Sequence, residues 1–210
     1  GEGLIKTFRD LGADEVIDGG QGHNPSTEDF INSFDKVNAE NIFVLPNNSN
    51  IIMAAEQAAN IYDKSKVYVI GTKNIGDGYS AMASADYLSD DPEAIKDLLE
   101  EGLASSVTGM VTRSVRNACI NGVKIKEGAY IGFKNKVMLC SDDDKTSTAL
   151  SVLDKLGGKD KDFLVVFFGK NVTEDEKADF EDRLEEFFPD LEYYGIDGGQ
   201  DSYDYITVLR

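Results

Sequence analysis

Apolar residues recur along the chain in two textures. Through the first hundred residues, short unbroken apolar runs alternate with segments whose apolar residues stand three and four apart. That is the alternation of a parallel sheet with helices on its faces. Glu15-Val16-Ile17 reads as a short strand running into Asp18-Gly19-Gly20-Gln21. Pro25-Ser26-Thr27-Glu28-Asp29 is a helix start, with Ser26 placed to cap a free amide and acids in the first turn. Phe30, Phe34 and Val37 follow at helical spacing. Residues 41–45 form a second strand, apolar without alternation as in a strand buried on both faces, and break at Pro46-Asn47-Asn48-Ser49. A helix over 50–62, with Ala54, Ala55, Ala58 and Ala59 small enough for close packing on a sheet, leads to a third strand over 66–70. The glycine-bearing stretch 71–78 reads as a loop, and a helical segment runs from Tyr79 to about Asp86. Ligands and partners of such sheets meet the loops leaving the carboxyl ends of the strands, and those loops are polar here.

An acidic helix over 89–101 carries Ile95, Leu98 and Leu99, and beyond it the texture changes. Short strands are expected over 107–115, 122–125, 129–133 and 136–140, with Asn121-Gly122 and Lys134-Asn135-Lys136 as turns. A helix over 146–156, an apolar strand over 162–168 and an acidic helix over 173–188 follow. The spacing of that last helix turns Phe180, Leu184, Phe187 and Phe188 inward. Strands over 191–196 and 203–209 close the chain. The expected fold is α/β: a parallel three-layer α/β subdomain over 1–105, then a smaller α+β subdomain over 106–210. Ile17-Asp18-Gly19-Gly20-Gln21 recurs as Ile196-Asp197-Gly198-Gly199-Gln200, each time after an expected strand.

Charge narrows the partners. Thirty-nine acids against 21 bases give a net charge of −18. Such a field repels phosphate backbones and anionic headgroups, so a basic protein partner is favoured over nucleic acid or a membrane surface. No apolar stretch approaches the roughly 20 residues of a transmembrane helix. Two cysteines, Cys119 and Cys140, make no disulfide framework, read as core residues and suit a reducing, cytoplasmic setting. The first residue is Gly1 rather than an initiator Met, which is the expectation for a piece of something longer.

Catalytic chemistry is thinly represented. Asp77 stands after Gly76 where a phosphate loop would carry its lysine, and a carboxylate there repels phosphate. His23 has no Gly-x-Ser-x-Gly elbow beside it. Asp142-Asp143-Asp144 lacks the glycine and distal Glu of a calcium loop and reads as a solvated acidic turn. What remains is a set of neutral donors and acceptors. Gln21, Asn24, Ser26 and Thr27 lie on the first loop, Asn47, Asn48 and Ser49 on the second, and Thr72 on the third. Singly they cap helices and turns; together, on adjacent strand ends, they make a candidate binding surface.

Gly19-Gly20-Gln21 with Asn24-Pro25-Ser26-Thr27-Glu28-Asp29, then residues 45–52, then Thr112-Arg113-Ser114-Val115-Arg116, and finally Gly198-Gly199-Gln200 with Tyr203 and Tyr205, run in this order through the whole chain. This series resembles the carboxy-terminal region of the kinase subunit of bacterial fatty acid kinase, a dihydroxyacetone-kinase-like family. Gly22-His23 stands where that family usually has Thr-Met, which argues against a family-wide catalytic role for His23. The resemblance implies a kinase that transfers the ATP phosphoryl group to a fatty acid held by a separate acyl-binding protein, feeding phospholipid synthesis. ATP and Mg would belong to a nucleotide domain outside this piece, which would hold no cofactor or metal and would recognise the acyl-binding protein. More distantly, the chain is similar to DegV-type fatty-acid-binding proteins, in which a Thr-Ser-x-Pro-Ser loop binds the acyl carboxylate. Asn24-Pro25-Ser26-Thr27 is similar to that loop, and Gln200 lies loosely where a second carboxylate-reaching loop would be. The alternative implied is a module that holds a fatty acid itself, for which an apolar tunnel behind Ser26 and Asn47 is needed. Arg113, Arg116 and Gln200 join the candidate binding residues on this resemblance.

Overall fold

The computed structural model describes residues 1–19 and 24–210. Contacts divide the chain into two units, one of Ile5–Ser106 and one of Gly1–Leu4 with Val107–Arg210.

The first part of the chain runs α1 (Glu2–Asp10), α2 (Thr27–Val37), β1 (Asn41–Val44), α3 (Ile52–Ile61), β2 (Lys66–Val69), α4 (Ile75–Ser84) and α5 (Pro92–Ala104), the unit division falling within α1. β1 and β2 pair in parallel, in register from Asn41 opposite Lys66 to Val44 opposite Val69. Successive side chains of a strand point to opposite faces, and both faces here are covered. Ile42 packs with Phe30 and Phe34 of α2 and with Ile51, Ala55 and Ala58 at α3. Its neighbour Phe43 packs with Ile70, Ala81 of α4 and Ile95 and Leu99 of α5. The unbroken apolar run of β1 thus follows from a three-layer arrangement in which the sheet has no wet side.

Two expectations fail in this unit. Residues 15–17 form no strand. Ile17 joins the α2–α3 cluster without ladder pairing, and Glu15 is engaged with Lys36 at 2.8 Å. The stretch 71–78 is not all loop, because α4 begins at Ile75. Asn74 caps it by accepting the Asp77 N–H at 2.9 Å, and the Asp77 carboxylate accepts the Lys73 N–H at 2.9 Å. One of the glycines that suggested a loop is a packing residue: a Cβ on Gly78 would fall on the Asn47 side chain.

The second unit holds β3 (Val107–Arg113), β4 (Ala118–Ile120), β5 (Val123–Ile125), β6 (Tyr130–Lys134), β7 (Val137–Asp142), α6 (Lys145–Lys155), a 3-10 turn (Gly158–Asp160), β8 (Phe163–Phe168), α7 (Glu174–Phe187), β9 (Glu192–Asp197) and β10 (Tyr205–Leu209). Six strands make one sheet in the order β7-β6-β3-β10-β8-β9, so the larger sheet belongs to this unit. Its neighbours are antiparallel except for the parallel pair β8 and β9. β10 is central and buried at all five positions. Leu164, Val166 and Phe168 of β8 and Tyr205 and Leu209 of β10 pack against Leu150 and Leu153 of α6 and Phe180 and Leu184 of α7.

Some details differ from the sequence reading. Phe188, just past the end of α7, turns inward, whereas Phe187 is 52% exposed. Only one of the adjacent pair can occupy the inward slot after Leu184. Cys119 is exposed on β4 and only Cys140 is half-buried, so the two are not both core residues. Asp144 is a working N-cap for α6, accepting the Ser147 N–H at 2.7 Å, rather than a merely solvated acid. α1 and β4 have no counterpart among the expected elements.

One buried charge organises this unit. Lys145 Nζ donates to the Asn171 carbonyl at 2.8 Å and to Glu176 at 3.0 Å, with Asp204 3.8 Å away, joining the starts of α6 and α7 to the entry of β10. Burial pushes the Asp204 carboxyl above its ordinary range, with the Lys145 charge pulling the other way. Removing one partner of a buried pair leaves its carboxylates uncompensated. Lys145→Met is therefore expected to lower unfolding free energy by about 3 kcal/mol in urea titrations. The exposed pair Lys159–Asp154 serves as control, and Lys159→Met should change it by less than about 0.5 kcal/mol.

Candidate functional site

The carboxyl ends of β1 and β2 lie side by side because the strands are parallel and in register. The Ile70 N–H extends the pairing by donating to the Val44 carbonyl at 2.9 Å. β1 stops at Pro46, which has no N–H to continue a ladder. Asn47 then adopts φ +55°, a left-handed conformation asparagine tolerates better than most residues. Its N–H, which has no strand to pair with, donates to Thr72 Oγ1 at 2.9 Å. Thr72 is fully buried, and its own N–H reaches the Ile70 carbonyl at 2.7 Å. The Asn47 side chain packs against Gly78, and its Oδ1 has no hydrogen-bond partner among the described residues. Asn48 Oδ1 accepts the Asn50 N–H at 2.9 Å, an Asx turn leading into α3, and Ser49 is exposed beside it.

The structure therefore brings Asn47, Asn48 and Ser49 together with Thr72, and adds Asn74, Asp77 and Gly78. Sequence reasoning places those last three in a loop. A legible signal is the spacing of Asn74 and Asp77 ahead of an Ala-rich segment, a cap pattern rather than a loop pattern.

Ser26 and Thr27 lie at the start of α2, with Asn24 exposed before them. Ser26 forms a complete capping box. Its N–H and Oγ both donate to Asp29 Oδ2 at 2.8 Å, and its Oγ accepts the Asp29 N–H at 3.2 Å. Thr27 Oγ1 donates to Gln57 of α3 at 3.1 Å. A carboxylate from the chain itself thus occupies the amide-rich end of this helix. Between residues 15–18 and α2 runs an open groove of about 630 Å³, lined by Glu15, Asp18, Asp29, Asn32 and Lys36 with Val16 and Ile17. That polar wall suits ions and amides better than an alkyl chain.

The remaining candidates lie in the second unit. Gln200 is buried, and its Nε2 donates to the Phe167 carbonyl at 3.0 Å. The Gly198 and Gly199 N–H groups both reach the Phe168 carbonyl at 3.0 Å, and the Gln200 carbonyl accepts from Lys170 at 3.1 Å. This Gly-Gly-Gln loop is tied into the sheet, with Gly199 at φ +66°. Arg113 and Arg116 are exposed at the end of β3, Arg113 Nε donating to the Gly128 carbonyl at 2.9 Å. Gln21 and His23 lie outside the described residues. Among the described residues, no cluster of three or more His, Cys, Asp or Glu could hold a metal, and no helix is long and apolar enough to cross a membrane.

The family model for the C-terminal region of FakA-like fatty acid kinase proteins matches residues 1–209. The chain belongs to this family. Among the relatives of this FakA-like C-terminal domain, Protein YloV of Bacillus subtilis is 36% identical over 211 residues, covering 99% of this chain and 37% of that protein. A Staphylococcus aureus (strain USA300) protein is 35% identical over 210 residues, covering 100% of this chain and 38% of its own length. The chain therefore spans little more than a third of the curated relatives it matches. In fold it is similar to a DegV family protein from Corynebacterium glutamicum, with TM-score 0.63 at 15% identity, covering 98% of this chain and 92% of that one. It is also similar to the Streptococcus pneumoniae fatty acid kinase B3 protein loaded with linoleic acid, with TM-score 0.61 at 17% identity, covering 89% and 76%. This domain thus has the DegV-type α/β fold.

Because the Asn47 N–H has only the Thr72 hydroxyl to meet it, Thr72→Val should strand a polar group and cost about 2 kcal/mol. Thr72→Ser, which keeps the acceptor, should recover more than half of that. Chemical denaturation measures both, and amide hydrogen exchange at Asn47 should quicken in the valine variant alone.

Proposed function

We propose that this chain is the partner-docking domain of a fatty acid kinase, non-catalytic by itself, which recognises the acyl-binding protein whose fatty acid becomes an acyl phosphate. In this reading ATP and Mg act in a nucleotide domain outside these residues, and the product enters phospholipid synthesis. The observation that carries it is the Ser26–Asp29 capping box. An acyl carboxylate approaching Ser26, as in the loop of the DegV-type proteins, would meet the Asp29 carboxylate already bonded there and be repelled. Packing supports the same choice. Behind Ser26, Phe30 and Phe34 are 4% and 3% exposed and close on Ile42, Ile51, Ala55 and Ala58, with Phe34 set edge-on to Tyr62 at 5.2 Å. An alkyl chain entering there would have to displace these packed side chains.

The exposed polar residues Asn24 and Ser49 are accessible to a protein surface. Part of the acid excess that would steer a basic partner lies on α7, where Glu174, Asp175, Asp179, Glu181, Asp182, Glu185 and Glu186 are exposed beside Phe187. Electrostatic steering of this kind weakens with salt.

Titration of the acyl-binding protein into this chain by calorimetry is the test, with affinity expected to fall about tenfold or more between low and high salt. Salt-independent binding, or none, would count against the reading. Mass spectrometry of the purified chain is expected to find no bound fatty acid. A stoichiometric acyl chain would favour the alternative, a module that itself holds lipid.

A further inference from the structure

The acid excess of the chain is not evenly spread. Between residues 113 and 127 stand four cations, Arg113, Arg116, Lys124 and Lys126, against the single acid Glu127. All four are exposed, and among the described residues none has a carboxylate within ion-pairing distance. Elsewhere the common state of a cation is paired, as for Lys36, Lys64, Lys66, Lys170, Lys177 and Arg183. In a chain of net charge −18, a lobe of unneutralised cations is the opposite of what even charge mixing would produce.

The lobe is also rigid. β4 and β5 form a hairpin closed by Asn121 and Gly122, both at positive φ as a two-residue I′ turn requires. Ile125, 5% exposed, roots the hairpin in the protein. The base is held by the Ser114 N–H to the Ala129 carbonyl at 2.7 Å, the Gly128 N–H to the Ser114 carbonyl at 2.8 Å and the Glu127 N–H to Asn117 Oδ1 at 2.8 Å. The backbone beneath these charges then has little left to order when a partner arrives, and the cost that remains is that of the side chains themselves. Apolar groups accompany them: Val115 is 86% exposed and Ile120 38%. Unpaired cations around exposed valine and isoleucine are the composition of a docking face rather than of a solvating one.

From this we infer that the hairpin formed by β4 and β5, with the end of β3 that leads into it, is a second docking face, and that its occupant is an acidic protein surface bearing apolar side chains. At physiological salt the screening length is about 8 Å. A compact partner seated on the lobe therefore responds to these cations before the acids elsewhere. A flat anionic bilayer would also bring its charge against the acid-rich remainder, so it fits less well. This face is opposite in sign to the one proposed for the acyl-binding protein and does not depend on that assignment.

The test uses a fluorescein-labelled peptide of alternating Glu and Leu, its Lys and Leu counterpart, and vesicles of phosphatidylserine and phosphatidylcholine, each titrated against the chain. The Glu–Leu peptide is expected to bind, and to bind at least about tenfold more weakly at high salt. Reversal of three exposed lobe charges together, Arg116→Glu, Lys124→Glu and Lys126→Glu, should cost at least about tenfold in affinity. Reversal of Lys155 and Lys161, outside the lobe, should cost nothing measurable. Carbodiimide cross-linking of the unmodified chain should join the peptide to Lys124 or Lys126, a readout independent of how the variant folds. The proposal is overturned if the Glu–Leu peptide does not bind, if the vesicles bind and it does not, or if cross-links fall outside the lobe.

Discussion

The hydrogen bond from the Asn47 N–H to Thr72 Oγ1 is the constraint on which the first unit's polar surface depends. A parallel pair of strands buried on both faces must end somewhere, and each end leaves backbone groups that need partners away from water. Pro46 ends the ladder on one strand, and the buried hydroxyl on the neighbouring strand's exit meets the first amide beyond it. Once that bond exists, Asn47 is held at positive φ with its side chain on α4, and only glycine at position 78 leaves room for it. Strand pairing, turn, helix packing and exposed amides are thus consequences of one another.

The same logic separates two candidate binding residues, Gln200 and Ser26, by the partners they have within the chain. Gly198-Gly199-Gln200 supplies the backbone and side-chain bonds that finish β8, so its glutamine is a structural strut. Ser26, by contrast, stands at a helix start open to solvent, and it is the Asp29 carboxylate that determines what can approach. Capping chemistry stabilises the helix and also sets the sign of the charge it will accept.

Electrostatics divides the molecule in a way its net charge conceals. The acids of α7 face outward in a row, while the cations around β4 and β5 are gathered on a stiff hairpin with exposed valine and isoleucine. An average of −18 describes neither surface. The buried Lys145, by contrast, joins three elements and is unavailable to any partner.

Much of this is legible in the residues alone. The apolar runs at 41–45 and 162–168, the cap at Ser26, the small-residue face of α3 and the Asn121-Gly122 turn depend on periodicity and backbone preference, which are local properties. The ordered motifs that mark the family are likewise matters of sequence. Residues 15–17 mislead because a ladder requires a partner at hydrogen-bonding distance, which no local pattern encodes. Gly78 misleads because a glycine needed for close approach looks the same in sequence as one needed for a turn. Phe187 misleads because competition between neighbours for one inward position is resolved by the shape of the core. The four hairpin cations are visible as letters, but their common exposure and their lack of carboxylate partners among the described residues come from the pairing of β4 with β5 and its junction with β3 and β6. Local preference therefore decided the elements, whereas the tertiary structure alone decided which polar groups found partners and which were left to seek them outside.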